Sequence, residues 1–177
     1  MASFNYNESM ENEFIILATH GIPPRDFPDE EKAEFFRLHS MADSGNPLTE
    51  HRRERYKALE VEMRNWPRTA QNDPFHRASH ELATEMEKQS GKKVICGFNE
   101  FCAPDVSQAI RHAVGQGAKK IVVITPMLTR GGAHAETEIT QIVAEARKEY
   151  PGVEIIYAWP FVKEKIAAFL LEQIDLF

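Results

Sequence analysis

The chain is short of cysteine, of basic residues and of long apolar runs, and each shortage argues against a class of protein. Its two cysteines, Cys96 and Cys102, lack the CxxC spacing of thiolate metal sites and are typical of reduced residues in a cytosolic protein. Lysine and arginine number 21 against 27 aspartate and glutamate residues, for a formal net charge of −6. Because neutralising phosphates requires a basic surface, this balance argues against a general nucleic-acid binder.

Apolar runs are all shorter than the roughly 20 residues that a membrane span requires. The N-terminal sequence MASFNYNESMENE has neither the basic start nor the apolar stretch of a signal peptide. We therefore expect a cytoplasmic protein without a membrane segment. With 177 residues, 42% of them hydrophobic, the chain can bury the core of one domain and has little room for two. We predict a single domain over 1–177.

Four short apolar runs, each followed by turn residues, predict β-strands. They are 14–19 (FIILAT), 94–98 (VICGF), 121–124 (IVVI) and 153–158 (VEIIYA). Amphipathic helical patterns follow the second, third and fourth runs. Such alternation predicts an α/β fold with a parallel sheet and helices on both faces, which is the flavodoxin-like three-layer arrangement if the strand order reverses between the first and third strands.

The connection between the first two strands is much longer than the fold requires. About 70 residues separate these strands, whereas a crossover needs about a dozen. Three helical patterns lie within it, with Asp29, Thr49 and Asp73 as N-caps and Gly91 after the last one. We predict an ordered helical insertion at about 23–90.

A residue of metal-ligand type follows each of the first three predicted strands. These residues are His20, Glu100 and His134, and parallel strands bring all three to the same edge of the sheet. Two imidazoles and a carboxylate suit Fe, Co, Ni or Zn, and with no fourth protein ligand the site stays open. The alternative is that these are surface or hydrogen-bonded structural groups, since the chain contains seven histidines.

Two glycines precede His134, at the start of a predicted helix. The exposed amides of Gly131 and Gly132 can bind an anion, or the pair can serve only as loop residues. The positive end of the helix disfavours imidazolium, so we expect His134 to be neutral and able to bind a metal or accept a proton.

A second histidine pair, His76 and His80, is spaced by one helical turn in the third helix of the insertion. Such a pair can hold a metal ion at a surface. Without a third ligand nearby in sequence, the preferred interpretation is a solvated face. The same helix contains the apolar residues Phe75, Leu82 and Met86.

Three stretches of the chain carry a family resemblance. They are 18–21 (ATHG), 99–110 (NEFCAPDVSQAI) and 117–139 (GAKKIVVITPMLTRGGAHAETEI). They resemble the CbiX/SirB-type class II chelatases, which insert Co, Fe or Ni ions into sirohydrochlorin-type tetrapyrroles. The resemblance covers the first strand and the chain from about residue 92 onward. It departs from the family at Ile22, where serine often follows His-Gly, and in the long insertion.

The resemblance implies one chelatase half-domain with a metal site formed by His20, Glu100 and His134. It implies that the divalent metal (Co²⁺, Fe²⁺ or Ni²⁺) is a substrate, that no organic cofactor is permanently bound, and that two copies form a homodimer. His134 is then the preferred general base, with Glu100 sharing ligation and proton removal. For the carboxylates of the tetrapyrrole, Arg25 and Arg130 are the nearest candidate partners in sequence, although both can equally be solvated surface residues.

Two alternative functions remain open. The same pocket can serve a metal or tetrapyrrole carrier without turnover. A histidine-phosphatase-like phosphoryl transferase is a weaker alternative, because such sites have an arginine directly before the histidine and this chain has Thr19. Trp159 and Phe161, after the fourth strand, can stack on a macrocycle, but we expect them to pack in the core.

Overall fold

The computed structural model describes residues 12–45 and 47–177. Most of the N-terminal stretch from which the absence of a leader is predicted lies outside these residues. Four strands form one sheet, all of them parallel. The strands are β1 (Glu13–Thr19), β2 (Lys93–Phe98), β3 (Lys120–Ile124) and β4 (Glu154–Tyr157).

The strand order is β2-β1-β3-β4, so the flavodoxin-like prediction is confirmed. In this order the chain leaves β1 toward β2 on one side and β3 lies on the other side. The connections diverge at the carboxyl ends of β1 and β3, and a crevice opens there. The register brings these ends level, since Leu17 pairs with Ile124 and Thr19 pairs with Phe98.

Three helices lie between β1 and β2, as predicted, and three more follow in alternation with the remaining strands. A π-helical turn, His134–Glu138, precedes the fifth helix. Within the described residues, no helix has the length and apolar character that crossing a bilayer requires. The helices are α1 (Asp29–Asp43), α2 (Glu50–Asn65), α3 (Pro74–Ser90), α4 (Val106–Gly115), α5 (Ile139–Glu149) and α6 (Lys163–Ile174).

The sheet has a separate core on each face. On one face, α4 and α5 pack apolar side chains against β1 and β3, and the buried residues of this core include Phe14, Ile121 and Ile139. On the other face, Leu17 and Cys96 pack with Ala83 of α3. A third core lies within the insertion, where five buried side chains from α1, from α2 and from the segment before α1 pack together. These are Phe27, Phe35, Leu38, Leu59 and Met63.

Helix α3 packs on β2, so it is the helix of the crossover between β1 and β2. Its ends are those predicted, because the Asp73 carboxylate accepts from the N–H of His76 and Gly91 ends the helix with a φ of 68°. The additional part of the insertion is therefore α1 and α2, which have their own core. The single-domain boundary at 1–177 stays a prediction.

Two predicted helix starts are wrong. Pro28 is the N-cap of α1 and makes no side-chain cap bond, while Asp29 is the first helical residue. The preference of proline for the first helical position predicts that Pro104 opens α4, but the helix begins two residues later, at Val106. Its N-cap is Asp105, which forms a reciprocal capping box with Gln108 and so satisfies two otherwise unpaired backbone N–H groups.

Candidate metal centre

The structure brings together the three residues that follow β1, β2 and β3. One ligand atom from each of His20, Glu100 and His134 can be chosen so that all lie within 4.8 Å of one another. Within residues 12–45 and 47–177, no other set of three His, Cys, Asp or Glu side chains meets this criterion. All three side chains are partly exposed. The geometry is that of an open site which solvent and a ligand can reach.

The two imidazoles lie edge to face, with ring centroids 4.8 Å apart and planes at 82°. The Nε2 atom of His134 lies 3.3 Å from a carboxylate oxygen of Glu100. His20 directly follows β1 at the switch point, and Gly21 continues the chain. A Cβ atom at Gly21 would stand 1.8 Å from the carbonyl oxygen of Glu100. Only glycine allows the loops after β1 and β2 to approach this closely.

A hydrogen bond at Nδ1, the other ring nitrogen, orients the His134 side chain. Its Nδ1 atom lies 2.7 Å from a carboxylate oxygen of Glu138. A carboxylate only accepts, so the proton in this bond belongs to Nδ1, and Nε2 is the ring nitrogen that faces Glu100 and His20. The sequence argument from the helix dipole did not include these two carboxylates.

The π-helical turn sets the position of His134. The N–H of Ile139 donates to the carbonyl of His134, five residues earlier, where the sequence predicted an ordinary α-helix. From β4, the Tyr157 hydroxyl donates to the carbonyl of Ala135 at 2.9 Å. Burial raises the pKa of Tyr157 to about 12, so this hydroxyl remains a donor.

The loop that carries Glu100 is held through its main chain. Phe101 has a φ of 56°, a left-handed conformation that costs a non-glycine residue about 1–2 kcal/mol. Arg64, at the end of α2, donates to the carbonyls of Asn99 at 3.1 Å and Cys102 at 3.2 Å. Its Nε bonds to Glu60 at 3.2 Å. The insertion therefore fixes the backbone on both sides of Phe101.

A second arginine, Arg68, links the same loop to α3. It donates to the carbonyl of Phe101 and to the carbonyl of Ile22, the latter at 2.8 Å. It also forms a 2.6 Å ion pair with Asp73, in which the side chains are 7% and 0% exposed. This pair joins the Glu100 loop to the N-terminus of α3.

A cleft of about 190 Å³ lies beside the candidate ligands. Glu100, His134 and Glu138 line it on the sheet side. The insertion supplies the opposite wall, which is rich in aromatic and polar side chains. These are Phe35, His39, Tyr56, Glu60, Met63 and Arg64.

The two arginines predicted to bind substrate lie at exposed positions. Arg25 donates to the backbone carbonyl of Gln71 at 3.4 Å. Arg130 pairs with Glu136 at 3.2 Å and its side chain is 73% exposed. A backbone hydrogen bond from Gly131, followed by the contact with Arg130, lowers the pKa of Glu136. The carboxylate of Glu136 therefore takes the place of the anion that the sequence predicted at these glycine amides.

The aromatic and sulfur candidates lie elsewhere. Trp159 is half-buried between the rings of Tyr157 and Phe161, while the cleft is lined by other side chains. Cys96 and Cys102 are free and buried, and burial raises the pKa of each thiol to about 11. Neither belongs to a three-ligand cluster within the described residues.

A parallel sheet with two histidines and a glutamate at its switch point defines an α/β protein with a candidate open metal centre. The CbiX family model matches residues 70–175, which is more than half of the chain. The chain belongs to the CbiX family. The match begins at the loop before α3, in agreement with the assignment of α3 to the basic fold.

Curated relatives cover only part of the chain. A sirohydrochlorin ferrochelatase from Priestia megaterium is 34% identical over 82 residues, which are 46% of this chain and 30% of the relative. A sirohydrochlorin cobaltochelatase from the same organism is 41% identical over 63 residues, 36% of this chain and 20% of the relative. A sirohydrochlorin cobaltochelatase from Saccharolobus islandicus (strain L.S.2.15 / Lassen #1) is 35% identical over 86 residues, 45% of this chain and 66% of the relative. The chain thus spans less than two thirds of the length of each.

Two solved structures are similar at lower identity. The sirohydrochlorin chelatase SirB from Bacillus subtilis subspecies spizizenii, in complex with cobalt, is 19% identical with a TM-score of 0.45, covering 93% of this chain and 50% of SirB. A CbiX protein from Marinobacter aquaeolei VT8 is 17% identical with a TM-score of 0.47, covering 93% of this chain and 97% of that protein. At scores below 0.5, neither likeness bears on the site.

Sequence reasoning missed three residues of this centre. Glu138 stands four residues after His134, a spacing visible in the sequence and readable as a helical pair. Arg64 and Arg68 had no such signal, because an arginine in a charged helix or after a proline is usually solvated. Their role depends on how α2 packs against the Glu100 loop.

Proposed function

We propose that the protein inserts a divalent metal ion (Co²⁺, Fe²⁺ or Ni²⁺) into a sirohydrochlorin-type tetrapyrrole, acting as a class II chelatase. The observation that carries this proposal is the convergence of His20, Glu100 and His134 within 4.8 Å at the open edge of the sheet. Borderline divalent ions favour imidazole and carboxylate ligands, and three protein ligands leave positions free for an incoming macrocycle.

The names of the relatives support the same chemistry. Membership of the CbiX family and similarity to one ferrochelatase and two cobaltochelatases of sirohydrochlorin favour metal insertion over transport without turnover. Those names differ in the metal, and the assay below distinguishes iron from cobalt.

Charge balance requires the site to accept protons when the metal ion enters the ring. As the metal ion enters the ring, two pyrrole N–H bonds break, and the two protons must leave while the nitrogen electron pairs bind the metal. We assign the first proton to the Nε2 atom of His134 once the metal has left this nitrogen for the ring, since Glu138 accepts from Nδ1 and leaves Nε2 directed at the site. Glu100, 3.3 Å from this nitrogen, can take the second proton once the metal has left it for the ring. His20 then acts as a metal ligand only.

The macrocycle would dock from the open side of the cleft. Its volume of about 190 Å³ admits only one edge of a tetrapyrrole. Phe35, Tyr56 and Phe101 offer apolar and aromatic surface to that edge. The carboxylates of the ring would remain outside, where the exposed guanidinium groups of Arg25 and Arg130 are candidate partners.

An anaerobic metalation assay tests the proposal. Purified protein is incubated with sirohydrochlorin and Co²⁺ or Fe²⁺, and the absorption change on metalation is followed beside a protein-free control. We expect metalation to be faster than the control, to be lost in His20→Ala, and to be retained in His112→Ala, which alters an exposed histidine of α4. A wild-type rate equal to the control rate, with stoichiometric binding of tetrapyrrole, would instead identify a carrier.

We also propose that two copies pair and that the protein works in the cytoplasm. In α6 and at the C-terminus, large apolar side chains are exposed, including Phe169 at 56%, Leu171 at 61% and Ile174 at 65%. Exposed apolar surface of this kind is typical of an interface, and a homodimer would cover it. Light scattering on a size-exclusion column tests the dimer, and a monomer at micromolar concentration would overturn it. Two free, buried thiols are consistent with a reducing compartment.

A further inference from the structure

The side of α3 that faces the sheet carries small buried residues, with Met86 packed against the same core. The residues buried on α3 are Ser79 and Ala83, whereas Leu82 is 46% exposed. Small side chains allow the helix to approach β2 closely, and the Cys96 thiol lies 3.5 Å from the carbonyl oxygen of Ser79. His76 and His80 stand three residues before Ser79 and Ala83, so they lie at the edge of this contact, with His76 half-buried and His80 exposed.

The two imidazoles of this pair point at each other. Their Nε2 atoms are 3.2 Å apart, and their ring centroids are 4.4 Å apart. The His76 ring stacks on the fully buried Phe98, with centroids 5.1 Å apart and planes at 17°. Phe98 therefore packs against one face of the His76 ring. His80 is exposed, so the pair is open to solvent on the side away from Phe98.

This separation fits two ligands of one metal ion. Zinc and similar ions bind histidine nitrogen at about 2.0–2.1 Å, so two adjacent ligands at about 90–110° stand roughly 2.8–3.4 Å apart. The observed Nε2–Nε2 distance of 3.2 Å lies inside this range. A cation could enter between the nitrogens without movement of the helix backbone.

We propose that His76 and His80 form a second divalent metal site, separate from the cleft. It would take a late first-row ion that favours imidazole, such as Ni²⁺, Cu²⁺ or Zn²⁺, with water in the remaining positions. Within the described residues, the pair is not part of a three-ligand cluster, so we expect weaker and more readily reversible binding than at a closed structural site. The site does not depend on the proposed chelatase activity.

The surroundings keep the pair ready to bind. Burial lowers the pKa of His76 and of His80, which favours neutral rings with free lone pairs near pH 7. Without a metal, one Nε2–H donates to the other Nε2. With a metal on both Nε2 atoms, each ring must carry its proton on Nδ1. Metal binding therefore changes the tautomer of one ring without releasing a proton.

Calorimetric titration with Ni²⁺ tests the site in untagged full-length protein. A His20→Ala/His134→Ala background removes two ligands of the cleft while leaving the pair intact. We expect one Ni²⁺ per chain in this background, and at least about tenfold weaker binding after His80→Ala, because one imidazole alone loses the advantage of its neighbour. His51→Ala, which alters an exposed histidine in a different part of the insertion, should leave the affinity unchanged. No binding in the background, or equal affinity with and without His80, would overturn the proposal.

A second measurement distinguishes chelation from a histidine hydrogen bond. Long-range ¹H–¹⁵N spectra of the same background, recorded with and without the diamagnetic ion Zn²⁺, report the tautomer of each ring. We expect both rings in the Nδ1–H form with Zn²⁺. If the donor ring keeps its Nε2–H at saturating Zn²⁺, the pair is a hydrogen bond and not a metal site.

Discussion

The two histidine clusters of this protein are built in opposite ways. His20 and His134 come from loops that follow two different strands, together with Glu100 after a third, and the strand order brings them together. His76 and His80 come from adjacent turns of one helix, and their spacing alone makes them neighbours. The first cluster depends on the whole sheet, whereas the second depends on one helix and on Phe98 behind it.

Because of this difference in construction, the two clusters are suited to different functions. A site formed by several loops can surround a ligand and offer different groups to it, as the cleft does with two imidazoles and a carboxylate. A site on one helix face offers two identical groups in one direction and leaves the rest of the ion to solvent. The cleft can support chemistry on a bound molecule, and the helix pair can support reversible binding of the ion alone.

The largest expected effect is the loss of His134, which breaks only the first cluster. We predict that His134→Ala slows metalation of sirohydrochlorin by about 10²–10⁴-fold, because the variant lacks both a ligand and the proposed general base. Initial rates of the absorption change measure this loss. His112→Ala is the matched control, and an unchanged rate in His134→Ala would remove this residue from the mechanism.

Arg68→Met is expected to affect both clusters, because its ion pair lies between them. Removal of one partner of the buried pair leaves the Asp73 carboxylate uncompensated, which costs about 3–5 kcal/mol in unfolding free energy. Urea unfolding measures the change. The control is Arg77→Met, whose pair with Glu81 is 62% and 61% exposed and should contribute less than about 1 kcal/mol. Equal stabilities of the two variants would contradict the assigned role of Arg68.

Glu138→Ala should weaken the first cluster without dismantling it. Loss of a carboxylate that orients a ligating histidine typically costs about 10–100-fold in activity or metal affinity. Metalation rates measured over a range of Co²⁺ concentrations test this, and Ni²⁺ binding by His76 and His80 should be unchanged. If Glu138→Ala matches the wild type, the hydrogen bond to Nδ1 does not position His134.

Gly21→Ala is expected to destabilise the fold less than loss of the buried Arg68 ion pair, and its effect is confined to the contact between the loops after β1 and β2. The added Cβ would meet the Glu100 carbonyl, so the two loops must move apart at about 1–3 kcal/mol. We expect slower metalation in the folded variant and unchanged Ni²⁺ binding at the helix pair. Gly152→Ala is the control, because nothing lies within 4 Å of a Cβ there. A wild-type metalation rate in Gly21→Ala would show that Glu100 tolerates displacement.

The sequence was sufficient for the sheet and for the residues at its edge. Strands buried on both faces read as continuous apolar runs, and the carboxyl ends of parallel strands meet at one edge, so His20, Glu100 and His134 could be selected without coordinates. Their role as ligands stays a prediction, as do the substrate contacts of Arg25 and Arg130.

What could not be predicted depends on tertiary packing. On α3, small residues at 79 and 83 allow close approach to β2 and place His76 against Phe98, and the pattern of large apolar residues does not show this. The π-helical turn replaces one hydrogen-bond register by another, for which the sequence has no periodic signal. Arg64 and Arg68 bind carbonyl groups of a distant loop, and such contacts exist only once α2 has docked.

The two arginines of the insertion recognise the Glu100 loop only through main-chain carbonyls, those of Asn99, Phe101 and Cys102. Every residue has a carbonyl, so this recognition does not depend on which side chains the loop carries. Substitutions in the loop that preserve its backbone path should therefore leave the arginine contacts intact, whereas lysine in place of either arginine cannot reproduce them. Residues of the loop that face the cleft can thus be substituted while the arginines still hold the loop to the insertion.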